Sequence, residues 1–263
     1  MILVTGASGY LGRQLLTVLK EAGLNVVAAG RSSIAGASMR LLELEQPGDY
    51  RDLMTGVDVV IHCAGIAHNK GQLDAYEQVN LRGSMALAEA AIACGVKRFV
   101  FVSSLNVVNF QATDPTVSAE CLPIPETPYA ISKWLTERAL EQLMDSATCE
   151  LTIVRPGLVY DRELTANLEQ LAHRARWLPF RLPDLGHRAM ISRQDLCGLL
   201  VNLARTKAYE SAAVRWVASD GQSYSARRIA EALGGRARGP GPRWLWRLIM
   251  NLRAHPGISF LVG

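Results

Sequence analysis

Short apolar runs alternate with amphipathic stretches along the N-terminal half of the chain. ILVTG at 2–6 reads as a buried strand, LGRQLLTVLKEAG at 11–23 places apolar residues at helical spacing, and NVVAAG at 25–30 supplies a second strand. After a polar section come DVVIHCAG at 58–65, a helix candidate in NLRGSMALAEAAIACG at 80–95, and RFVFVSS at 98–104. A third helix is expected from Tyr129 toward Met144, and LTIVRPG at 151–157 reads as the strand after it. Strand, helix and strand repeated in this way predict an α/β fold with a Rossmann-type parallel sheet, helices on both faces, and ligands beyond the strands' carboxyl ends.

The pattern weakens between 161 and 190, where prolines and arginines separate short apolar groups, and returns to helical spacing in SRQDLCGLLVNLAR at 192–205. This predicts a first domain over 1–156 and a smaller, mainly substrate-facing region over 157–263, with 190–205 returning to the first domain. No internal repeat is present, and the Gly/Pro-rich section 234–242 reads as a flexible boundary.

With 263 residues, 49% of them hydrophobic and 20% charged, the chain has enough apolar material for a substantial core. No apolar run reaches the roughly 18 to 20 residues of a spanning helix, and the chain opens on a strand-like MILVTG without an export leader. A soluble, cytoplasmic protein with no transmembrane segment is expected. Cys63, Cys94, Cys121, Cys149 and Cys197 are scattered and odd in number, which points to buried thiols and to no metal site or disulfide framework. The net charge of +4 is uneven, because the residues from Arg227 onward carry +6 and the rest sum to −2. That distribution argues against a nucleic-acid partner. The basic tail RARGPGPRWLWRLIMNLRAHPG reads as a packed helix with an arginine-rich solvent face, with peripheral contact to an anionic membrane as its alternative.

Candidate chemistry begins in TGASGYLG, where Gly6, Gly9 and Gly12 follow a strand and open a helix. Glycines permit a tight turn and close approach of a pyrophosphate to backbone donors at a helix N-terminus, and Ser8 and Tyr10 add donors beside it. Beyond the second strand stand Arg31, Ser32 and Ser33 instead of an acid. An arginine there pairs with a ribose 2′-phosphate, with a serine adding a hydrogen bond, so NADP(H) is favoured; stacking of Arg31 on adenine would leave NAD(H) as the alternative. In YAISK, Tyr129 and Lys133 share a helix face as i and i+4, and Ser103 and Ser104 end an apolar strand.

TGASGYLG, DVVIHCAG, YEQVNLRGS, FVSS, YAISK and VRPGLVY, in this order, resemble the extended short-chain dehydrogenase/reductase family of nucleotide-sugar epimerases, dehydratases and reductases. The resemblance implies that Tyr129 exchanges the proton of a sugar hydroxyl, that Lys133 lowers its pKa and holds the nicotinamide ribose, and that Ser104, preferred over Ser103, polarises the reacting oxygen. It implies a structural role for Asn80, close cofactor contacts at Ala64 and Gly65, and a wall near the nicotinamide at Pro156 and Gly157. His62 is read as a packed or hydrogen-bonded strand residue. Arg188 is implied as a phosphate contact of the substrate and Asn167 as a further substrate contact. Val108-Asn109 replaces the family's tyrosine-glycine element, Asp161 follows Tyr160 where glycine is usual, and GISFLVG ends the chain sooner than a full substrate domain would, so that region is expected to be compact or incomplete.

The expected function is NAD(P)-dependent oxidoreduction or epimerisation at C4 of a nucleotide-linked sugar, in cell-envelope polysaccharide synthesis by family analogy, with a homodimer as a compatible assembly. A dehydratase is an alternative weakened by Leu105-Asn106, which offers no acid for elimination. A cofactor-binding regulatory protein without turnover is the alternative of a different class.

Overall fold

The computed structural model describes residues 1–31, 39–67, 73–108, 125–163, 168–169, 171–173, 182, 184, 186–206 and 213–233. Seven parallel strands form one sheet in the order β3-β2-β1-β4-β5-β6-β9: β1 (Ile2–Thr5), β2 (Val26–Gly30), β3 (Met39–Leu41), β4 (Val59–His62), β5 (Arg98–Val102), β6 (Glu150–Pro156) and β9 (Ala213–Ala218). Its helices are α1 (Tyr10–Glu21), α2 (Leu73–Tyr76), α3 (Gly83–Ala93), α4 (Pro128–Met144) and α5 (Arg193–Arg205); α1 packs with α5, and α3 with α4. The expected parallel α/β sheet is therefore present. Between α2 and α3 the helix widens into a π-turn at Glu77–Arg82, so the helical run begins earlier than the apolar spacing from Asn80 suggested. β3 and β9, the two sheet edges, were not read from the sequence.

The strands form because their residues are apolar on both sides, as a sheet covered on two faces demands. β1 and β5 are buried at every position. Their core is filled by Leu3, Phe99, Phe101, Leu87, Leu140, Leu151 and Ile153, all at or near zero exposure. α4 starts where Thr127 caps the Ala130 N–H at 3.1 Å and Pro128 takes the first turn, a position that needs no amide hydrogen. The strand order reverses direction between β1 and β4, and the carboxyl ends at such a switch point form a crevice.

A second compact unit contains β7 (Leu158–Tyr160), β8 (Arg188–Ser192), β10 (Ser223–Tyr224) and α6 (Ala226–Ala232), while α5 and β9 group with the large sheet. Its three strands run in the order β10-β8-β7, with β8 parallel to β7 and antiparallel to β10. Leu168, Leu171, Leu182, Met190 and Ile229 make its own core.

Two buried polar groups bear on stability. Arg98 is 4% exposed; it donates to Glu150, its register partner on β6, from Nε at 3.0 Å and Nη2 at 2.7 Å, and from Nη1 to the Leu203 and Thr206 carbonyls at the end of α5. Arg98→Met leaves that carboxylate and those carbonyls without their cation, and is expected to destabilise the fold by about 3 kcal/mol in urea unfolding. His62 is fully buried between Thr5 Oγ1, 2.6 Å from Nδ1, and Ser84 Oγ, 2.8 Å from Nε2. Ser84 gives its own hydrogen to the Asn80 carbonyl and Thr5 accepts from the Ala64 N–H, so the proton of a neutral His62 sits on Nε2. Burial, and secondarily the Lys133 charge, hold its pKa down at about 3 instead of 6.5. Below 6.5 the unfolded chain takes up a proton that the native ring refuses, so stability is lost as pH falls. Between pH 6.5 and about 4 wild type is expected to lose about 3 kcal/mol more than His62→Gln, measured by urea unfolding at each pH.

Candidate active site

The β1 exit turns into α1 through a backbone that only glycine allows. Gly6 has φ +66, and a Cβ there would lie 2.7 Å from the Ala64 amide nitrogen at the β4 exit. Gly12 packs against the Gly6 carbonyl so closely that a Cβ would collide with it. Gly9 caps α1 without a side-chain hydrogen bond, and no acid stands in the first turn. The first-turn N–H groups and the positive end of the helix dipole are thus left for an anion, as a dinucleotide pyrophosphate requires. Ser8 on this loop is exposed; Tyr10 is half-buried, with the Arg193 guanidinium 4.3 Å from its ring centre and Arg193 Nη1 donating to its carbonyl at 3.3 Å.

Across the crevice, Asn80 fixes the β4 exit. The π-turn brings its side chain to Ile66, where Oδ1 accepts from the backbone N–H at 2.9 Å and Nδ2 donates to the carbonyl at 3.0 Å and to Ser132 Oγ at 3.0 Å. π-turns inside helices recur at functional sites because they re-aim a side chain. Ser132 in turn donates to the Tyr129 carbonyl, which joins Ile66, Asn80 and the start of α4 in one hydrogen-bonded unit.

Tyr129, Lys133 and Ser104 meet at the carboxyl end of β5. The Tyr129 hydroxyl is hydrogen-bonded to Ser104, and its ring lies 6.2 Å from that of Tyr76. Burial raises its pKa to about 12, the Ser104 hydrogen bond lowers it, and Tyr76 raises it. Lys133 Nζ donates to the Val102 carbonyl at 3.0 Å and sits 4.6 Å from the Phe101 ring centre. Burial lowers its pKa to about 8, against the opposing pull of Cys63 and Glu137. Lys133 thus reaches the strand end, not the tyrosine hydroxyl. Ser104 also accepts from the Asn106 N–H at 3.2 Å, whereas Ser103 turns the other way and donates to Glu137 at 2.5 Å. His62 lies beneath this cluster in the hydrogen bonds already described.

Pro156 is buried at the end of β6, in register with Ala218. In the second unit, Gly157 lies against the Ala189 carbonyl, and Arg188 on β8 is half-buried opposite Tyr224, with burial lowering its pKa. Ser32, Ser33, Asn109, Cys121, Asn167 and the tail from 234 lie outside the described residues. Sequence reasoning passed over Ser132, Glu137, Arg155 and Arg193. Of these, only Glu137 carried a local signal, its i+4 spacing from Lys133. Among the described residues no group of His, Cys, Asp or Glu is arranged to hold a metal, and no helix is long and apolar enough to cross a membrane.

The chain is similar to a UDP-glucose 4-epimerase of Vibrio cholerae, 30% identical over 271 residues that cover 95% of this chain and 81% of that protein. It is similar to a ceramide reductase of Caulobacter vibrioides, 33% identical over 250 residues covering 90% and 72%. Its fold matches the solved structure of a UDP-glucose 4-epimerase complex with NAD from Thermus thermophilus, with a TM-score of 0.73, 21% identity, and coverage of 92% of this chain and 87% of that one.

The preference for NADP(H) is corrected. Six solved structures of this fold, with TM-scores of 0.73 to 0.76, are described with NAD and none of the six with NADP. The physical reason lies at Arg31, whose Nη1 pairs with Glu45 at 3.0 Å on the surface. A carboxylate beside the guanidinium already takes its charge and would repel a 2′-phosphate.

The NAD dependent epimerase/dehydratase family model matches residues 2–176, more than half of the chain, and with the Vibrio relative's near-complete coverage this establishes that the protein belongs to that family.

Proposed function

We propose that the protein is an NAD-dependent epimerase or reductase acting at C4 of a nucleotide-linked sugar. The single observation that carries the reading is the meeting of Tyr129, Ser104 and Lys133 at one strand end, beside a glycine loop whose backbone packs too closely at Gly6 and Gly12 for a side chain. The donor set suits a dinucleotide: Gly6, Ser8, Gly9, Tyr10 and Gly12 take the pyrophosphate side, Ala64, Gly65 and Asn80 the opposite wall, and Lys133 and Pro156 the nicotinamide end. Bound NAD supplies the acceptor and donor of a hydride.

In this reading Tyr129 holds and releases a proton at its hydroxyl oxygen as the sugar C4 oxygen changes between alcohol and ketone. Its raised pKa keeps it protonated at neutral pH, the form that donates in the reductive direction. Ser104 shares a hydrogen bond with the same oxygen and orients the reacting group. Lys133, with a pKa of about 8, is mostly an ammonium at pH 7 and stabilises negative charge as it develops on the phenol. Arg188 and Asn167 enter the proposal as substrate contacts on the family resemblance alone. A cytoplasmic location and a homodimer complete the proposal.

The experiment is a panel of UDP- and dTDP-linked sugars with NAD, following both cofactor absorbance and product stereochemistry. Product without net cofactor consumption identifies epimerisation, and one cofactor consumed per product identifies reduction. The substrate of the Caulobacter ceramide reductase belongs in the same panel, because that relative is also similar over 90% of the chain. Tyr129→Phe is expected to lower kcat by about 10² to 10⁴ while leaving NAD binding in place. Unchanged turnover in that variant removes Tyr129 from the chemistry, and failure to bind NAD sinks the whole reading.

A further inference from the structure

Three consecutive residues at the end of β5 are tied to one face of α4. The Val102 carbonyl accepts from Lys133 Nζ, Ser103 donates to Glu137, and Ser104 is hydrogen-bonded to Tyr129. The middle link is the most deeply set. Glu137 is 1% exposed and Arg155, on the neighbouring strand β6, 3%. Arg155 Nη2 donates to Glu137 Oε2 at 2.6 Å, and its Nε lies 3.1 and 3.2 Å from the two carboxylate oxygens. The strand ends beside the reacting groups are thus joined to α4 by a charge pair almost wholly closed to solvent.

Such a pair is poorly explained by stability. Moving two ions out of water costs several kcal/mol each, and well-packed apolar residues of like volume often do as well or better. What the pair provides and an apolar contact does not is a fixed direction: the fork of Arg155 and the Ser103 hydroxyl allow the carboxylate one orientation. We propose that Glu137, clamped by Arg155 and Ser103, is a positioning residue that sets Ser104 against Tyr129 and keeps Lys133 charged. This rests on the function proposed above for its catalytic consequence, but not for its effect on Lys133.

The groups facing Lys133 are few among the described residues. From the β4 exit come His62 and Cys63, from β5 the Phe101 ring, and from α4 itself Tyr129 one turn back and Glu137 one turn on; Arg155 on β6 acts through Glu137. His62 stays neutral above about pH 3, and burial keeps the Cys63 thiol protonated up to about 12. Tyr129 is likewise neutral up to about 12. With His62, Cys63 and Tyr129 neutral near pH 7, the Glu137 carboxylate one turn on is the charge left to offset burial at Lys133.

The test is an NMR titration of the Lys133 side chain in the full chain, its resonance assigned with Lys133→Met, alongside turnover against pH. Glu137→Gln keeps the shape and removes the anion, and is expected to lower the Lys133 midpoint by about one unit or more. Arg155→Met removes the cation on which the buried carboxylate depends, so the negative charge beside Lys133 is expected to be lost and the midpoint to fall as well. Glu137→Asp keeps the charge but shortens the reach, so the midpoint is expected to stay while kcat falls at least tenfold. A role confined to folding would lower the melting temperature of all three variants without lowering the midpoint in Glu137→Gln and Arg155→Met. Unchanged midpoints in folded Glu137→Gln and Arg155→Met overturn the proposal. Should Glu137→Gln not fold, Arg155→Met alone decides, a midpoint that fails to fall overturning it. If wild type turns over no nucleotide sugar, the proposed function fails while the Lys133 titration still decides this one.

Discussion

The side-chain amide of Asn80 is the interaction on which the site depends. Its oxygen accepts from the Ile66 N–H and its nitrogen donates to the Ile66 carbonyl and Ser132, so three chain segments far apart in sequence are held by one buried group. A buried amide that lost these partners would face a desolvation cost of about 1–3 kcal/mol for each unsatisfied group, which makes the arrangement close to all-or-none. The π-turn is what delivers the side chain: one wider turn between α2 and α3 re-aims Asn80 toward the β4 exit. From there the constraint spreads. Ser84 anchors to the Asn80 carbonyl and His62 to Ser84, while Ser132 fixes the Tyr129 carbonyl, so the strand switch point and the start of α4 are positioned by the same residue.

Much of this was legible in the sequence where a local rule forces a residue type. The glycines of TGASGYLG are the clearest case. Gly6 needs both a left-handed φ and the absence of a Cβ near Ala64, and no other residue satisfies both. The buried strands were legible for a similar reason, since continuous apolar runs bounded by turns fit a sheet covered on both faces. The edge strands were not. β9 reads AVRWVA, with Arg215 and Trp216 open to solvent, and its place beside β6 is a pairing of residues some sixty positions apart that no local period encodes. The π-turn left no mark either, because its residues are ordinary helix formers.

The candidate site divides along the same line. Tyr129 and Lys133 share a helix face by spacing alone, but which of two adjacent serines faces Tyr129 is decided by strand direction: Ser104 turns to it and Ser103 to Glu137. Arg31 shows the opposite outcome. Its position after β2 suggested a phosphate partner, and the partner it has is Glu45, fourteen residues on and across the β3 edge. An ion pair formed by tertiary proximity overrides a motif read from three neighbouring letters.

Burial explains why the charges at this site are arranged as they are. A lysine wholly inside a protein loses its proton readily, and a tyrosine there holds its own more tightly, so desolvation alone would leave both neutral near the middle of the pH range. Neutral partners would exchange a proton with little electrostatic help. Lys133 stays largely charged at pH 7 because a carbonyl, an aromatic face and the Glu137 carboxylate offset part of that cost. Glu137 is itself tolerated inside only because Arg155 and Ser103 saturate its oxygens. Each buried charge therefore requires the next, from Lys133 through Glu137 to Arg155 on β6. A site built this way keeps its ammonium while burying it away from bulk solvent, which is what a hydride-transferring centre needs and what a solvent-exposed lysine would not provide.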